Sequence, residues 1–263
     1  MKIPQLLTYG LSPEVIAFST TRHGGYSEGN YGEFNINPYC GDSSETISQN
    51  RKALCGKLGI EERALLFPHQ VHESRGVVID KFFLELPEQR RKERLEGFDC
   101  IATQESGICI GVSTADCVPI LLYFENPRAT VAIHAGWRGT MKRIALNAVE
   151  DLKKSMGLNT ANCKAAIGPS ISCQAFEVGN EVYEAFKSEG FDMTQTAKRM
   201  NGKWHIDLWK ANAMQLVCAG ICADNISVAG ICTYNNHTDF FSARRLGTNS
   251  GRIFSGILIR QQT

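Results

Sequence analysis

The sequence lacks the charge imbalance and the long apolar runs that mark nucleic-acid-binding and membrane-spanning proteins. Its 263 residues contain 28 Lys and Arg against 27 Asp and Glu, a formal net charge of +1, so no basic field attracts nucleic acid or an acidic membrane surface. No stretch approaches the roughly 20 apolar residues that span a bilayer, and the N-terminal segment lacks the apolar core and cleavage site of a signal peptide. We therefore expect a cytoplasmic protein without nucleic-acid or membrane partners; composition does not define its oligomeric state.

The sequence also has no repeats, low-complexity tracts or Pro/Ser-rich linkers. Its hydrophobic content of 43% and charged content of 21% are those of an ordinary globular protein. Continuous apolar runs such as 119–123 and 130–133 predict strands covered on both faces. An apolar stripe at 3.6-residue spacing over 141–156 predicts a helix, and the charge run 87–96 predicts a solvated face rather than a binding patch. We therefore expect a single compact α+β domain over residues 1–263.

The ten cysteines lack the dense pattern of a small secreted disulfide scaffold and include no CxxC pair. Without a signal peptide, nine of them are expected to be reduced and mostly structural, because a buried free thiol behaves as a small apolar side chain. Cys117 is the exception, since it lies between the polar Asp116 and an apolar run, at the expected entrance of a strand.

Cys117 and two histidines are candidate protein ligands of one transition-metal ion. His134 ends an apolar run and precedes a Gly-rich turn, and His72 lies in a short polar motif. Two imidazoles and one thiolate suit zinc or copper, and they leave a fourth position open, as in a catalytic zinc site. Two alternatives stay open: His69 competes with His72 for the ligand role, and Cys117 paired with His134 would also serve as a nucleophile.

Six short motifs between Thr21 and Arg245 carry a resemblance to a known family, which extends over about residues 18–252. They are Thr21-Arg22-His23-Gly24-Gly25-Tyr26-Ser27, Gln70-Val71-His72, Thr114-Ala115-Asp116-Cys117-Val118-Pro119, His134-Ala135-Gly136-Trp137-Arg138-Gly139, Ile167-Gly168-Pro169-Ser170-Ile171 and Phe240-Phe241-Ser242-Ala243-Arg244-Arg245. The sequence resembles the YfiH-type laccase-domain family, also called multicopper polyphenol oxidase-like proteins.

This resemblance implies a purine nucleoside phosphorylase that also deaminates adenosine. The implied substrates are phosphate and the nucleosides adenosine, inosine, guanosine and methylthioadenosine. The implied catalytic and zinc-binding residues are His72, Cys117 and His134. We further expect mixed β-sheets in a layered α/β/β/α arrangement.

A phosphorolytic enzyme must also hold phosphate, for which arginine offers a planar, permanently charged fork. Five arginines lie beside glycine or polar turn residues: Arg22, Arg138, Arg244, Arg245 and Arg252. Arg22 and Arg138 stand out because each lies in a Gly-rich turn, where backbone N–H groups also face an anion. Arg22, Arg138 and Arg244 are therefore the predicted phosphate contacts. Asn35 is a predicted substrate contact, and Asp99 is a candidate to contact the ribose or to orient a ligand.

Three other functions use the same residues. A copper-dependent polyphenol oxidase is implied by the older family name, but six histidines without a His-x-His pair are too few for a multicopper cluster. A hydrolase that removes a wrong amino acid from a cell-wall precursor would use the metal or Cys117. A non-catalytic partner-binding protein would complete a structural zinc shell with a fourth protein ligand.

Overall fold

The computed structural model describes residues 2–261. Met1, Gln262 and Thr263, which the predicted domain also included, lie outside the described residues. The strands of the described chain are β1 (Leu6–Tyr9), β2 (Val15–Thr20), β3 (Leu65–Leu66), β4 (Gly76–Ile79), β5 (Cys100–Thr103), β6 (Cys109–Thr114), β7 (Val118–Glu125), β8 (Arg128–Ala135), β9 (Lys164–Ile167), β10 (Glu177–Val178), β11 (Ala197–Met200), β12 (Lys203–Ile206), β13 (Ile226–Val228) and β14 (Ile253–Ile259). Its helices are α1 (Ser44–Leu58), α2 (Glu88–Arg94), α3 (Trp137–Met141), α4 (Ile144–Met156), α5 (Asn180–Ser188), α6 (Met193–Thr196), α7 (Leu208–Cys218) and α8 (Ala243–Leu246).

Two large mixed sheets contain most of these strands. One has five strands in the order β1-β2-β14-β6-β3, and the other has six in the order β13-β9-β7-β8-β5-β4. In each sheet parallel pairs, such as β3 with β6 and β4 with β5, adjoin antiparallel ones, such as β6 with β14 and β5 with β8. A small antiparallel sheet is formed by β10, β12 and β11. The predicted α+β class with mixed sheets is confirmed.

The two large sheets face each other and are covered by helices on their outer faces. Along β7, Leu121 and Tyr123 pack against side chains of the five-stranded sheet. Ile120 and Leu122 point the other way and pack with α4 and α7. On the outer face of the five-stranded sheet, α1 contributes Leu54 to a third apolar cluster. The order helix, sheet, sheet, helix is the predicted layered arrangement, and it explains why β7 is a continuous apolar run, since both of its faces are buried.

The structure divides one predicted helix into two and forms an exposed helix from the charge run. The apolar stripe over 141–156 was expected to form one helix, but the chain breaks between α3 and α4 at Arg143, whose φ is 58°. The charge run 87–96 forms α2, which is mostly exposed except for the half-buried Arg91. Within residues 2–261, no helix has both the length and the apolar character needed to cross a membrane.

Candidate metal centre

The three predicted ligands lie together where the end of β8, the start of β7 and the β3–β4 loop meet. His134 is the penultimate residue of β8, Cys117 immediately precedes β7, and His72 lies in the loop between β3 and β4. Because β7 and β8 are antiparallel, with Pro119 opposite His134, the start of one strand lies beside the end of the other. The ligand atoms of His72, Cys117 and His134 all lie within 4.8 Å of one another. The two imidazole rings meet edge to face, with centroids 4.7 Å apart.

His69, the competing histidine, lies outside this group. Its Nδ1 is 2.6 Å from Oε1 of Glu96, and its ring stacks on Tyr39 with centroids 4.0 Å apart. His72 instead adopts a left-handed backbone conformation with φ of 62°, which is uncommon for a residue other than glycine. The structure therefore brings His72, and not His69, to Cys117 and His134.

Asp99 orients both histidines of the group. This fully buried carboxylate lies 2.6 Å from Nδ1 of His134 and accepts hydrogen bonds from the backbone N–H groups of His72 at 3.0 Å and Glu73 at 2.8 Å. Burial alone would raise the pKa of the Asp99 carboxyl, but the hydrogen bond and charge of His134 together with these N–H groups hold that pKa below its usual value. An imidazole whose Nδ1 donates to a carboxylate presents Nε2 for ligation, as in many metal sites.

Cys117 and His134 shift each other's pKa in the directions that favour a thiolate beside a protonated imidazole. Burial alone would raise the pKa of Cys117, but the charge and hydrogen bond of His134, assisted by His72, outweigh burial and lower that pKa to about 6. Burial would lower the pKa of His134, but the Cys117 thiolate and Asp99 raise it to about 9. The thiolate, which is the form that ligates a metal, is therefore the main form of Cys117 at neutral pH.

Gly136 makes room for the three side chains. A Cβ atom at this position would lie 3.1 Å from Sγ of Cys117 and 3.2 Å from Cδ2 of His72. Both distances are shorter than ordinary van der Waals contact, so a larger residue would displace the ligands. Gly136, two residues after His134, was expected to allow a sharp turn. Here its main role is to let the backbone approach the side chains of Cys117 and His72 closely.

Asp116 holds the turn that presents Cys117. Its φ is 84°, and its carboxylate accepts hydrogen bonds of 2.7 Å from the Thr233 hydroxyl and from the backbone N–H of Arg244. These two partners are distant in sequence, so the turn is anchored by tertiary contacts. Asp116 therefore positions Cys117 through the backbone.

A cavity of about 340 Å³ opens onto the group. It is lined by Asn37, Tyr39, Cys40, His69, Gln70, His72, Ser113, Thr114, Ala115, Cys117, His134, Ala243, Thr248 and Arg252. Ser113 and Thr114 are buried, and their hydroxyl oxygens have no hydrogen-bond partner among the described residues. The guanidinium of Arg252 donates to the carbonyl oxygens of Thr248 and Ser250 at 3.0 and 2.6 Å. The wall therefore contains one arginine, and it encloses two hydroxyl oxygens that have no hydrogen-bond partner among the described residues.

The three arginines predicted to contact phosphate are absent from the described residues that line this cavity. Arg22 donates two hydrogen bonds of 2.7 Å to backbone carbonyls, so its fork is used within the protein. Arg244 reaches the carbonyl oxygen of Glu177, and Arg138 is exposed and lies over the ring of Trp137 at 4.3 Å. Their contact with phosphate stays a prediction, whereas Arg252 is the arginine that the fold brings to the cavity.

Asn35 lies behind the cavity wall. It is fully buried, its Nδ2 donates to Asp42 at 2.9 Å, and its Oδ1 accepts from the backbone N–H groups of Arg252 at 3.1 Å and Asn37 at 3.2 Å. These bonds join the loop that contains Asn37 to the chain entering β14. The position of Asn35 suits a residue that supports the wall.

Comparison with known proteins shows the family to which this chain belongs. Residues 16–260 match the family model described as multi-copper polyphenol oxidoreductase laccase. The chain belongs to this family. A purine nucleoside phosphorylase of Bacteroides thetaiotaomicron is 47% identical over 246 residues, which cover 93% of this chain and 91% of that protein. An adenosine deaminase of an unknown prokaryotic organism is 44% identical over 245 residues, or 92% of this chain and 93% of that protein.

Solved structures share the same fold. The crystal structure of the Bacillus licheniformis protein YfiH has a TM-score of 0.89 at 27% identity, covering 98% of this chain and 97% of that one. That of YlmD from Geobacillus stearothermophilus has a TM-score of 0.89 at 26% identity, covering 99% and 100%. The predicted membership of the YfiH-type laccase-domain family is confirmed.

Proposed function

We propose that this protein is a zinc-dependent purine nucleoside phosphorylase that also deaminates adenosine. The names of the two relatives described above support both activities. The expected substrates are phosphate and the nucleosides adenosine, inosine, guanosine and methylthioadenosine. A cytoplasmic location is proposed with it, because all ten cysteines are free, as is usual in a reducing compartment.

The donor set of the metal centre supports zinc. One thiolate and two imidazoles with mutually close ligand atoms are typical zinc ligands, and three protein ligands leave one position for water or substrate. Copper binds the same donor types. Residues 2–261 contain no second group of three His, Cys or acidic residues close enough to hold an ion, which argues against a multicopper cluster.

Four residues of the metal centre have proposed roles. His72, Cys117 and His134 hold the metal, and Asp99 keeps His134 oriented through the 2.6 Å contact to Nδ1. Zinc bound in such a site lowers the pKa of a coordinated water towards neutrality and polarises an oxygen of the substrate. These four residues thus form a pre-oriented site that requires little rearrangement on metal binding.

The cavity wall supplies the substrate contacts. Ser113 and Thr114 contribute to the wall, and a rotation of either side chain would bring its buried, unpartnered hydroxyl within reach of a ribose or phosphate. Arg252 contributes positive charge, which offsets the charge of an incoming phosphate. The stacked rings of Tyr39 and His69 offer a flat surface for a purine base.

One observation carries the proposal: a carboxylate-oriented His-Cys-His group opens onto a cavity of about 340 Å³. This volume lies within the range of small-molecule sites, roughly 300–1,000 Å³. A structural zinc would instead be closed by a fourth protein ligand. The described residues bring only these three ligand atoms together, so the geometry favours catalysis over a purely structural or partner-binding role.

The proposal is tested by product analysis. The zinc-loaded protein is incubated with adenosine, with and without phosphate; we expect adenine and ribose-1-phosphate only with phosphate, and inosine in both cases. Cys117→Ala should lose bound zinc and both reactions, because it removes the thiolate ligand. Cys218→Ala, which changes an exposed cysteine, is the matched control and should retain them. A protein with one zinc per chain and none of these products would contradict the proposal.

The description of the family as a multi-copper polyphenol oxidoreductase keeps a copper-dependent polyphenol oxidase as a second candidate. Mass spectrometry of the purified protein distinguishes the two. Stoichiometric copper together with oxygen consumption on phenols would support the oxidase. Zinc without oxygen consumption would support the nucleoside enzyme.

A further inference from the structure

A second cavity, of about 430 Å³, lies between α1 and α2 beside the metal cavity. We call it the α1–α2 groove. It is lined by Pro38, Tyr39, Ile47, Arg51, Glu62, Arg63, Leu65, Leu66, Phe67, Glu88, Arg91, Lys92 and Leu95. It therefore combines buried apolar side chains with four cationic and two acidic ones. Tyr39 lines both cavities, so a single side chain connects the groove with the wall of the proposed active site.

The positive charges of the groove are not fully neutralised by the protein. Lys92 forms an ion pair with Glu88 at 2.7 Å, and Arg63 forms one with a neighbouring glutamate at 2.6 Å. Within residues 2–261, Arg51 and Arg91 have no carboxylate oxygen within 4.0 Å. The groove thus contains two guanidinium groups without a direct carboxylate contact, although Glu62 and Glu88 interact with Arg51 and Arg91 at longer range.

The hydrogen-bonding capacity of these two arginines is also largely unused. Arg51 donates from Nη2 to the carbonyl oxygen of Leu65 at 3.2 Å, and Arg91 donates from Nη1 to that of Arg63 at 3.4 Å. Each guanidinium has five N–H donors. Nε of Arg91 is buried without a partner among the described residues, which is costly for a charged group.

Apolar and aromatic side chains supply the remainder of the site. Leu65, Leu66 and Phe67 are buried and form part of the groove lining, and the ring of Tyr39 is half exposed at the boundary with the metal cavity. A ligand that consisted of phosphate alone would leave the exposed Pro38 and Tyr39 uncovered. An apolar ligand without charge would leave both arginines unpaired.

We propose that the α1–α2 groove binds an aromatic phosphate monoester. Its dianionic phosphate pairs with Arg51 and Arg91, because two guanidinium groups match two negative charges and form short charge-assisted hydrogen bonds. Its aromatic body contacts the exposed Pro38 and Tyr39 above the apolar floor of the groove. The volume of the groove accommodates a ligand of this size. The charge run 87–96, predicted to be a solvated face only, then contributes a binding residue through Arg91.

The test uses 1-naphthyl phosphate as the probe and isothermal titration calorimetry of the full-length, zinc-loaded protein. We expect saturable binding of one probe per chain, and at least tenfold weaker binding of both 1-naphthol and inorganic phosphate. Arg91→Gln should weaken probe binding at least tenfold. Arg90→Gln is the matched control on the same helix: Arg90 is exposed and pairs with Glu93, so its loss should change the affinity less than twofold.

Two further variants test whether probe binding depends on the guanidinium of Arg51 and whether it is independent of the metal centre. Arg51→Lys retains the positive charge but removes the planar guanidinium, so it should weaken probe binding at least fivefold. Its melting temperature is measured to show that the variant is folded. Cys117→Ala should bind the probe like wild type although it loses the metal, so failure of the proposed enzyme function is distinguishable from failure of the groove. Absence of saturable binding, equal losses in Arg90→Gln and Arg91→Gln, or loss of binding in Cys117→Ala would overturn the proposal.

Discussion

Asp99→Asn is the most informative single change, because it preserves the shape of a buried side chain and removes its charge. Asp99 accepts hydrogen bonds on both oxygens. Oδ1 lies 2.6 Å from Nδ1 of His134 and accepts the N–H of His72 at 3.0 Å, whereas Oδ2 accepts the N–H of Glu73 at 2.8 Å and of Val71 at 3.4 Å. An amide has one acceptor oxygen only. Its NH₂ group must therefore face N–H donors on one of these two sides.

The expected magnitude follows from this loss. A hydrogen bond to a charged group contributes about 1.5–3 kcal/mol, and a buried donor left unsatisfied costs a similar amount. We expect the free energy of unfolding to fall by about 2 kcal/mol, which lowers the melting temperature by about 4–8 °C for a chain of this size. Removal of the carboxylate that orients a ligating histidine typically weakens metal binding by about 10–100-fold, and we expect zinc affinity to fall within that range.

Zinc affinity is measured by competition with a chromophoric chelator, and the melting temperature by circular dichroism with and without zinc. Glu73→Gln is the control, because it also replaces a carboxylate by an amide, at the residue that follows His72. The Glu73 side chain pairs with Lys142 at the surface, and such exposed pairs contribute about 0–1 kcal/mol, so its zinc affinity should stay within twofold of wild type. A folded Asp99→Asn protein with wild-type zinc affinity would refute the role assigned to Asp99.

Three other predictions concern the same site. Gly136→Ala places a Cβ 3.1 Å from Sγ of Cys117 and should weaken zinc binding about tenfold in the chelator assay, whereas Gly10→Ala, with no atom within 4 Å, should not; equal effects would contradict the steric argument. In metal-free protein, the rate of Cys117 alkylation by iodoacetamide should rise with pH with a midpoint near 6, because the thiolate forms above a pKa that His134 lowers to about 6; a midpoint near 9, the ordinary thiol value, would exclude this pairing. Arg252→Met should raise the KM for phosphate at least fivefold in the phosphorolysis assay without changing the zinc content. An unchanged KM would show that Arg252 acts only on the loop carbonyls that it contacts.

Sequence patterns correctly predicted the features that depend on residues close together in the chain. The continuous apolar run 119–123 predicted a strand with both faces covered, and β7 packs against helices on one face and a sheet on the other. The residue types at Cys117 and His134, each at the border of an apolar run, identified the candidate ligands. The charge run 87–96 was correctly predicted to be a largely exposed helix or loop, although its single half-buried arginine was not recognised.

Arg252, which lines the cavity, was one of the five candidate arginines but not one of the three predicted phosphate contacts, because the use of a side chain depends on distant neighbours. Gly-rich surroundings favoured Arg22 and Arg138, but the fold places two backbone carbonyls against the guanidinium of Arg22. Arg252 has less distinctive surroundings in the sequence. It lines the cavity because it immediately precedes β14, which pairs with β6 and thereby lies beside Thr114.

The sequence by itself determined the donor types of the metal centre, the α+β class and the family, since these depend on residue chemistry and on patterns within short segments. Only the tertiary structure selected His72 over His69, which are three residues apart and equally able to bind a metal. That selection depends on the left-handed φ of 62° at His72 and on the hydrogen bond from its N–H to Asp99. It also depends on Tyr39, which stacks on His69. These partners come from different segments of the chain: Asp99 precedes β5, which pairs with β4 just beyond His72, and Tyr39 lies in the loop before α1. The geometry of the site is therefore a property of the tertiary fold.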